Sequence, residues 1–558
     1  MHRLSFRFRI LLIVLAVLVL GQFGAGKAFA DTIGEHHTFF VNQAYDATGR
    51  TSVPVTLEYV STHAYFYVED SYLNNLRPFE RAQFDQQITS SAQEFDNNVY
   101  PKETAFWGSE ANPGIDNDPK ITILLERLNQ GTGGYFDSTN EYPVTQAPTS
   151  NQREMITGNV LSVATNQFKV FISHEFQHLI SFNQKELLRN VSEDTWLNEL
   201  RSQYAITLVG YNDNFQGSDL FQRMQTFLSN PIDSLTEWPN TNLDYASATL
   251  FGQYLAGRFG PSILADTGQS PLIGIASINQ YLTSHQVNEQ FSDVFADWEW
   301  ANYFNNQTQN PAFGYANPNL QTIHVPPTDT EQLTAQAPNS YPYSLKPWQP
   351  SWYQFRTDSS AAGENIKISW QGSGFQVYYA DAAGVEHRVS NGDIIIPPAA
   401  GSFLLMPVND YQTINFGASE VPSAIVLSMQ YTTQPQTTAV LAPALNDGSL
   451  IVHAGTPDIY VVWGTYKRYL ALDVLKFYSL DASTAITVPE GIFQSYMPSN
   501  YIRAIDEKKV YAVWPDGTKH WLNMTAQHFT DSYRDWNSVF IVNNLESNFY
   551  KIGPDITQ

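Results

Sequence analysis

The chain contains no cysteine, and basic residues are few: 30 lysines and arginines stand against 54 aspartates and glutamates. Without cysteine there are no disulfides, so the stability of an exported chain must come from its cores and from bound metal ions. The formal charge of −24 would repel DNA and RNA, which excludes a phosphate-binding partner. The composition therefore points away from a disulfide scaffold and from a nucleic-acid-binding protein.

Long hydrophobic runs are also missing beyond the first thirty residues. That first stretch has a basic start, "MHRLSFRFR", an apolar run from Ile10 to Leu20, and the small residues Ala28 and Ala30 before Asp31. This three-part layout is typical of a secretory signal peptide cleaved after Ala30. An uncleaved anchor is the alternative, although a membrane span needs about twenty apolar residues. We expect a secreted, extracellular protein.

The residues that are present can form several cores. Hydrophobic residues make up 43% of the chain and aromatic residues 14%. A length of 558 residues predicts two to four domains.

A mixed segment over 31–310 has strand patterns first and helical patterns later. Strand patterns occupy 53–60, 64–70 and "KITILL" at 120–125, and helical patterns occupy 78–98, 166–188, 194–209, 245–259 and 292–304. On the first helix we expect one buried stripe, formed by Phe79, Phe84, Ile88, Ala92 and Phe95. This segment is predicted to be a single α+β domain.

The second half of the chain is organised differently. Residues 311–344 are rich in proline, asparagine and glutamine and are predicted to be a linker. Short strands separated by turn residues over 345–436 predict an all-β sandwich. Within 437–558, "IYVVWGTYKRYLA" (459–471) matches "VYAVWPDGTKHWLN" (510–523). Two units of about fifty residues are therefore predicted at the C-terminus.

The stretch "FKVFISHEFQHLI" carries the chemistry of the first segment. On a helix, His174 and His178 lie on one face a turn apart, so both imidazoles can bind one Zn²⁺ ion at about 2.0–2.1 Å. Glu175 is one position on, where it can act as a general base toward a water on the metal. Because so short a motif also occurs by chance, a zinc site is predicted only if the chain offers a third ligand.

Glu199 is the candidate for the third ligand. The helical pattern "DTWLNELRSQYA" follows the histidines, and a return helix would bring Glu199 to the open side of the zinc. Glu193 and Asp194 are alternative candidates for this role, but they lie in the polar, turn-like segment where this helical pattern begins. A metzincin would have glycine at position 181 and histidine at position 184, where this chain has serine and glutamine. That class is excluded, and a structural zinc site or a chance motif remains the alternative.

The segments "SHEFQHLISFN" and "WLNELRSQYA" resemble the secreted gluzincin metallopeptidases, and most specifically the hyicolysin-like family. The resemblance extends over about 39–304, because "GIDNDPKITILL", "FLSNPIDSLTEW" and "DYASATLFGQYLAGRFG" follow in the order that family shows. It implies a zincin-like catalytic domain with zinc bound by His174, His178 and Glu199 and with Glu175 as catalytic base. It implies nothing firm about the C-terminal half.

Two positions depart from the family pattern. Leu200 replaces the glycine that usually follows the third ligand, and Gln203 stands where an acidic residue would orient a ligand histidine. Residues that support metal ligands change affinity or activity by about ten- to a hundredfold. We therefore expect Gln203 to contact a ligand histidine and the enzyme to be active but slow.

The transition state of peptide hydrolysis needs a further donor for its oxyanion. Tyr245 is our candidate because "LDYASATLF" resembles the family segment after the zinc helices, and Tyr204 is a weaker one. An extended substrate could pair with "KITILL" if that strand lies at a sheet edge, and a central position is the alternative. Asp116 and Asp118 could bind Ca²⁺, but a turn with self-capping aspartates is the favoured interpretation.

These observations predict a secreted zinc metalloendopeptidase acting on protein or peptide substrates, with C-terminal domains that attach it to a cell surface or a polymer. The alternative from another class is a cell-envelope or adhesion binding protein with an inactive or structural zincin domain. The presence of Glu175 discriminates, because a structural zinc site does not require it. An aminopeptidase or a non-peptide hydrolase with the same metal set also stays open.

Overall fold

The computed structural model describes most of the chain after the predicted signal peptide, which lies outside the described residues apart from Ala30. The described residues are 30–558 without 288, 309, 336–337, 381–385, 396–400, 414, 436–444, 446, 454–455, 479, 489–492, 494–495, 506, 532–533 and 558. In this part of the chain, every helix is too short or too polar to cross a bilayer. The architecture is multidomain, with helices, mixed sheets and a sandwich-like pair of sheets.

Two compact units divide the chain. The first comprises the described residues up to Glu193 together with Leu197–Arg223 and Leu264–Pro271. The second comprises Asp194–Trp196, Met224–Ile263 and everything from Leu272 onward. The predicted domain over 31–310 is therefore shared between both units in the structure.

A six-stranded mixed sheet forms the centre of the first unit, with strand order β1-β2-β3-β4-β6-β5. Its strands are β1 His36–Phe40, β2 Ser52–Val60, β3 Ala64–Glu69, β4 Ile121–Glu126, β5 Gly134–Phe136 and β6 Met155–Asn159. Strands β3, β4 and β6 run parallel, and β5 pairs antiparallel with β6. Both faces of β3 and β4 are buried, which is why these strands are apolar almost throughout.

The position of β4 decides between the two interpretations of "KITILL". This strand lies between β3 and β6, so it is central and cannot accept a substrate strand. Of the two interpretations that the sequence left open, the central position is the correct one. The strands at the two edges of the sheet are β1 and the short strand β5.

The helices follow the predicted patterns closely. In chain order they are α1 Asp70–Leu73, α2 Pro78–Glu94, α3 Tyr100–Trp107, α4 Asn166–Phe182, α5 Thr195–Leu208, α6 Asp219–Ser229, α7 Asn242–Phe259, α8 Ser262–Gly268, α9 Gly274–Ser284, α10 Phe291–Phe304, α11 Leu472–Leu475, α12 Ala526–Asp531 and α13 Asn544–Phe549. On α2, Phe84, Ile88 and Ala92 are buried as expected, but Phe79 is 79% exposed. Phe79 lies five residues before Phe84, which places it about 140° around the helix from the buried stripe.

Two sheets of the second unit form the sandwich-like region, one antiparallel and one mixed because β7 pairs parallel with β9. One has the order β13-β10-β15-β8 and the other β12-β11-β14-β9-β7. Their strands are β7 Asp329–Gln332, β8 Asn339–Leu345, β9 Tyr353–Arg356, β10 Asn365–Gln371, β11 Phe375–Ala380, β12 Glu386–Val389, β13 Ile394–Ile395, β14 Ser402–Asn409 and β15 Ser423–Thr432. The side chains between them form one apolar core over 333–429. Strand β7 and all of β8 except Leu345 fall within 311–344, so that segment is not only a linker.

The remaining strands form two sheets of like topology, with orders β19-β16-β17-β18-β20 and β24-β21-β22-β23-β25. The strands are β16 Leu450–His453, β17 Ile459–Trp463, β18 Tyr466–Leu470, β19 Ile486–Val488, β20 Met497–Pro498, β21 Tyr501–Ala504, β22 Val510–Val513, β23 Thr518–Asn523, β24 Val539–Val542, β25 Lys551–Ile552 and β26 Ile556–Thr557. In both sheets the three middle strands are antiparallel and the two outer strands pair parallel to their neighbours.

Candidate metal centre

Helix α4 carries both histidines and begins with a defined cap. Thr165 is the N-cap, and its hydroxyl accepts a hydrogen bond of 3.2 Å from the backbone N–H of Phe168. His174, Glu175 and the apolar residue Phe176 are all buried on this helix. Its apolar positions pack it against strands β5 and β6 of the sheet. The motif therefore lies on a rigid, buried helix beside the sheet edge.

His174, His178 and Glu199 come together in the first unit. The Nε2 atoms of the two histidines are 3.1 Å apart, and Glu199 Oε2 is 3.2 Å from His174 Nε2 and 3.4 Å from His178 Nε2. Ligands of a tetrahedral zinc ion at about 2.0–2.1 Å are separated by about 3.4 Å. The three atoms therefore surround one point at close to the spacing that a zinc ion requires.

The charges at this point also suit a cation. Burial alone would lower the pKa of His178, but the carboxylate of Glu199 outweighs it and raises the pKa to about 9. Burial would raise the pKa of Glu199, yet the imidazoles hold it well below its usual range. Glu199 Oε2 is buried, and the two histidine Nε2 atoms are its neighbours at 3.2 and 3.4 Å. A buried anionic oxygen that faces two imidazole nitrogens fits the ligand atom of a metal ion.

Glu175 is oriented by the edge strand. The side chain is 7% exposed, and burial raises its pKa, which makes the carboxylate a stronger base. The backbone N–H of Phe136 donates a hydrogen bond to it. A β-carbon on Gly134 would lie 3.2 Å from Glu175 Cγ and 2.7 Å from the carbonyl oxygen of Thr157. Glycine at position 134 therefore lets β5 approach the glutamate closely.

The imidazole of His178 is supported by Ser202, a residue that the sequence pattern did not indicate. Ser202 Oγ is 3.1 Å from His178 Nδ1, donates to Gln177 Oε1 at 2.5 Å, and is 3.3 Å from the carbonyl oxygen of Asn198. Gln203, the predicted support, is buried next to it on α5. Ser202 lies three positions after Glu199, so its proximity to the ligands could have been read from the helical spacing.

The competing ligands have other partners. Glu193 Oε2 is 2.8 Å from Arg201 Nη1 and 2.9 Å from Lys185 Nζ, so it belongs to a buried ion cluster. Asp194 Oδ1 accepts a hydrogen bond of 2.6 Å from the backbone N–H of Asn415. Of these three acidic residues, Glu199 is the one that joins the two histidines.

The two tyrosines considered for the oxyanion have contacts of their own. Tyr245 lies in the second unit on α7, where its hydroxyl donates to Asn240 Oδ1 at 3.0 Å and its ring packs edge-on against Trp238. The ring of Tyr204 lies 6.4 Å from that of Phe106 and 6.5 Å from that of Trp107. The role of Tyr245 stays a prediction.

Comparisons with known proteins add little to this description. No family model matches the chain, and no curated protein matches it. Among solved structures, a periplasmic inhibitor of g-type lysozyme, PliG from Salmonella Typhimurium, is 15% identical with a TM-score of 0.15, over 19% of this chain and 99% of that chain. A PliG mutant from Escherichia coli is 12% identical with a TM-score of 0.12, over 19% and 98%.

An extracellular fragment of EsaA from Streptococcus gallolyticus is 12% identical with a TM-score of 0.06, over 46% of this chain and 65% of that chain. These scores are too low to carry an inference about fold or function.

Proposed function

We propose that the protein is a secreted zinc-dependent endopeptidase with a zincin-like catalytic domain. The observation that carries the proposal is the arrangement of His174, His178 and Glu199, whose ligand atoms lie 3.1–3.4 Å apart around one point. Two histidines and one glutamate are a catalytic zinc set, which leaves one position open for water or substrate. Zinc bound there would supply Lewis acidity, which makes water nucleophilic at neutral pH and polarises a carbonyl.

Glu175 serves as the general base. It follows the first ligand on α4, is held by the backbone N–H of Phe136, and has a pKa raised by burial. In the reaction it takes a proton from the attacking water and returns that proton to the leaving amine. A group that acts in both directions needs a pKa above that of an exposed glutamate, which supports this role for a buried one.

Strand β5 is the candidate binding edge for an extended peptide. One side of β5 pairs with β6, and in the described part of the chain no strand pairs with its other side. The strand contacts Glu175 through Gly134 and Phe136. A substrate segment that adds to this edge by backbone hydrogen bonds would place an internal peptide bond next to the base. This geometry favours an endopeptidase over an aminopeptidase.

The C-terminal region is proposed as a tandem repeat that attaches the enzyme to a surface or polymer. Trp463 is the last residue of β17, and Trp514, its equivalent in the repeat, directly follows β22; they are 43% and 46% exposed. Lys467 and Lys519, also equivalent, are both buried and both donate to backbone carbonyl oxygens, those of Phe493 and Ser547 among them. Exposed tryptophans repeated on one framework are suited to contact with an extended partner.

The test of catalysis compares wild type with Glu175→Gln on casein, with zinc content measured for both proteins. Wild type should cleave casein at internal bonds. The variant should bind one zinc ion per chain and lose about 10²–10⁴-fold in activity, because it lacks the general base. Tyr245→Phe in the same assay tests the oxyanion role, where a lower kcat with unchanged zinc content is expected.

Asp118→Asn is a suitable control variant, because Asp118 belongs to a turn away from the motif and its carboxylate serves Tyr65 and Lys120. If wild type and Glu175→Gln both bind zinc and neither cleaves any peptide tested, the protein is a binding protein with a structural zinc site. If neither protein binds zinc, the two histidines and Glu199 do not form a zinc site and the proposal is wrong.

A further inference from the structure

A second acidic site lies around the turn "NPGIDNDP" in the first unit, apart from the metal centre. Asp118 Oδ1 accepts from the backbone N–H of Lys120 at 2.9 Å and Asp118 Oδ2 from the hydroxyl of Tyr65 at 2.8 Å. Asp116 Oδ1 accepts from the backbone N–H of Asp118 at 2.8 Å. These are self-capping turns, as the sequence favoured. Both oxygens of Asp118 thus accept hydrogen bonds from within the protein.

Glu154 reaches this turn from the start of β6. Its Oε1 accepts a hydrogen bond of 2.6 Å from the backbone N–H of Ile115. A β-carbon on Gly114 would lie 1.5–1.8 Å from the carboxylate atoms of Glu154. The carboxylate therefore fills the space that any other side chain at position 114 would take. Glycine at position 114 therefore lets the backbone of the turn lie against the carboxylate of Glu154.

Glu141 brings a second carboxylate to the same place. Glu141 and Glu154 are 5% and 2% exposed, and their side chains are within hydrogen-bonding distance of each other. Apart from a proton shared between the two carboxyl groups, Glu141 Oε1 and Glu154 Oε2 have no hydrogen-bond donor among the described residues. The negative charge of Asp116 acts on both. Two buried carboxylates in contact repel each other strongly unless a positive charge lies between them.

The described protein residues place no ion-paired cation at the two glutamates. Arg153, the residue before Glu154, forms its ion pair with Asp31, and its charge also acts on Asp116. Among the described residues, no lysine, arginine or histidine forms an ion pair with Glu141 or Glu154. Two buried carboxyl groups that face each other without a basic partner thus point to a bound cation.

We propose that Glu141 and Glu154 bind a calcium ion, with Asp116 at the rim of the site. All the available ligands are oxygens, which hard cations prefer and which Zn²⁺ does not require. Calcium accepts irregular sets of six to eight oxygens, including water and backbone carbonyls, whereas magnesium needs a near-ideal octahedron. Two glutamates from separate segments suit the more flexible ion.

The site would stabilise the strand next to the catalytic base. Glu141 ends the short helical turn Ser138–Glu141 that follows β5, and Glu154 directly precedes β6, which pairs with β5. A calcium ion held by both residues ties the outer ends of this hairpin to the "NPGIDNDP" turn. The proposal does not depend on zinc catalysis, because binding is measured without substrate.

The experiment is a calcium titration of the zinc-saturated full chain, read as Tm and by isothermal titration calorimetry. At pH 8, wild type should bind one calcium ion, and its Tm should rise as calcium increases over about 0.1–10 mM, the range of extracellular calcium sites. Magnesium should produce a smaller rise. Burial and mutual repulsion raise the pKa of Glu154 to about 7 and the pKa of Glu141 well above its ordinary value. Protons therefore compete, and affinity should fall from pH 8 to pH 6.

The variants Glu141→Gln and Glu154→Gln give a crossed result if the proposal is right. Without calcium at pH 8, each should have a higher Tm than wild type because the repulsion is removed. With saturating calcium each should have a lower Tm than wild type. Glu103→Gln is the matched control: Glu103 is equally buried with one unpartnered oxygen, but it faces Ser173, so its calcium response should equal that of wild type.

Absence of calorimetric binding to wild type at pH 8 would overturn the proposal and leave a shared proton between the two glutamates. So would a calcium-dependent rise in Tm that persists in both variants, because the ion then binds elsewhere. If neither variant folds, Asp116→Asn, a change at a half-buried position, should still fold and should weaken calcium binding several-fold. If Asp116→Asn is the only variant that folds and it binds calcium as tightly as wild type does, the proposed site is wrong.

Discussion

Ser202 contacts one of the proposed metal ligands without being a proposed ligand itself. Its hydroxyl lies between His178 Nδ1, Gln177 Oε1 and the carbonyl oxygen of Asn198. A hydrogen bond at Nδ1 fixes the orientation of the ring and leaves Nε2 directed at the ligand point. Leu200 and Gln203, the departures from the family pattern, are both buried on the same helix.

Ser202→Ala should lower zinc affinity by about 10–100-fold, because the ring of His178 loses its orienting partner. The measurement is competition for zinc with a chromophoric chelator at pH 7.5. Ser173→Ala is the control, since Ser173 is a buried serine on α4 whose hydroxyl donates to Glu103 at 2.7 Å rather than to a histidine. Equal zinc affinity in wild type and Ser202→Ala would show that Ser202 only fills space.

Glu103 predicts a pH dependence of stability. The side chain is fully buried, and burial raises its pKa well above the ordinary value, although Ser173 donates to it. The folded state therefore keeps a proton that the unfolded chain releases above about pH 4.5, and this contribution to stability falls as the pH rises.

Glu103→Gln should therefore raise the Tm at pH 8 by about 2–4 °C, which corresponds to roughly 1 kcal/mol for a unit of this size. The gain should be smaller at pH 5, where wild type carries the proton at no cost. Thermal unfolding of both proteins at the two pH values checks this. A gain of equal size at both values would mean that the buried charge is not its origin.

Among secondary-structure elements, the edge strand β5 matters most to the proposed reaction. It has only three residues, Gly134–Phe136. The backbone N–H of Phe136 donates to Glu175, the proposed base, and a β-carbon on Gly134 would meet the side chain of Glu175. So short a strand has too few residues to show a period of two. Its place at the edge follows from the pairing of β6, which has β4 on one side and β5 on the other.

Gly134→Ala should reduce casein hydrolysis at least about tenfold while zinc content stays at one, because the new methyl group displaces β5 or Glu175. Activity and bound zinc are measured on the same samples. Gly131→Ala is the control. A β-carbon at position 131 would meet no atom within 4 Å, but the φ of 90° disfavours alanine. The variant therefore strains the loop before β5 without a contact to Glu175. Equal losses in both variants would attribute the effect to general destabilisation.

On helix α2, the predicted hydrophobic stripe differs from the buried face at one residue. Four of the five expected stripe residues are buried, and the fifth, Phe79, is exposed. The spacing of four between Phe84, Ile88 and Ala92 keeps one face, whereas the interval of five before Phe84 leaves it. Phe79 is also in the first turn, next to Pro78, where the helix has just begun.

At the scale of the whole molecule, the cores are distinct. The sandwich has its own apolar core over 333–429, and the C-terminal sheets have a core that includes Leu450, Ile502 and Phe540. The three candidate metal ligands all belong to the first unit. Removal of a metal ion from the proposed site would therefore leave every residue of these two cores in place.

Zinc removal should lower one calorimetric transition and leave the transition of the sandwich core unchanged. At free zinc about 100 times Kd, binding contributes about 2.7 kcal/mol to the unit that holds the ion. Scanning calorimetry of the chain with zinc and with a chelator makes the comparison. His178→Ala is the reference, since its trace should match that of the chelated wild type. A uniform shift of every transition would contradict a local effect.

The sequence by itself determined what depends on neighbours along the chain. The periodicity of 166–188 and 194–209 predicted the two helices, and the spacing of His174 and His178 required both rings to lie on one face. The run "KITILL" predicted a buried strand, and the turn "GIDNDP" predicted self-capping aspartates. These features follow from backbone geometry and from side chains a few positions apart.

The tertiary structure alone decided what depends on residues distant in sequence. It selected Glu199 over Glu193 and Asp194 because the latter two meet other partners, Arg201 and Asn415. It placed β4 inside the sheet and β5 at its edge, and it brought Glu141 and Glu154 together. These features depend on which buried charges and which strands come together in the folded protein. A local sequence pattern does not identify these distant partners.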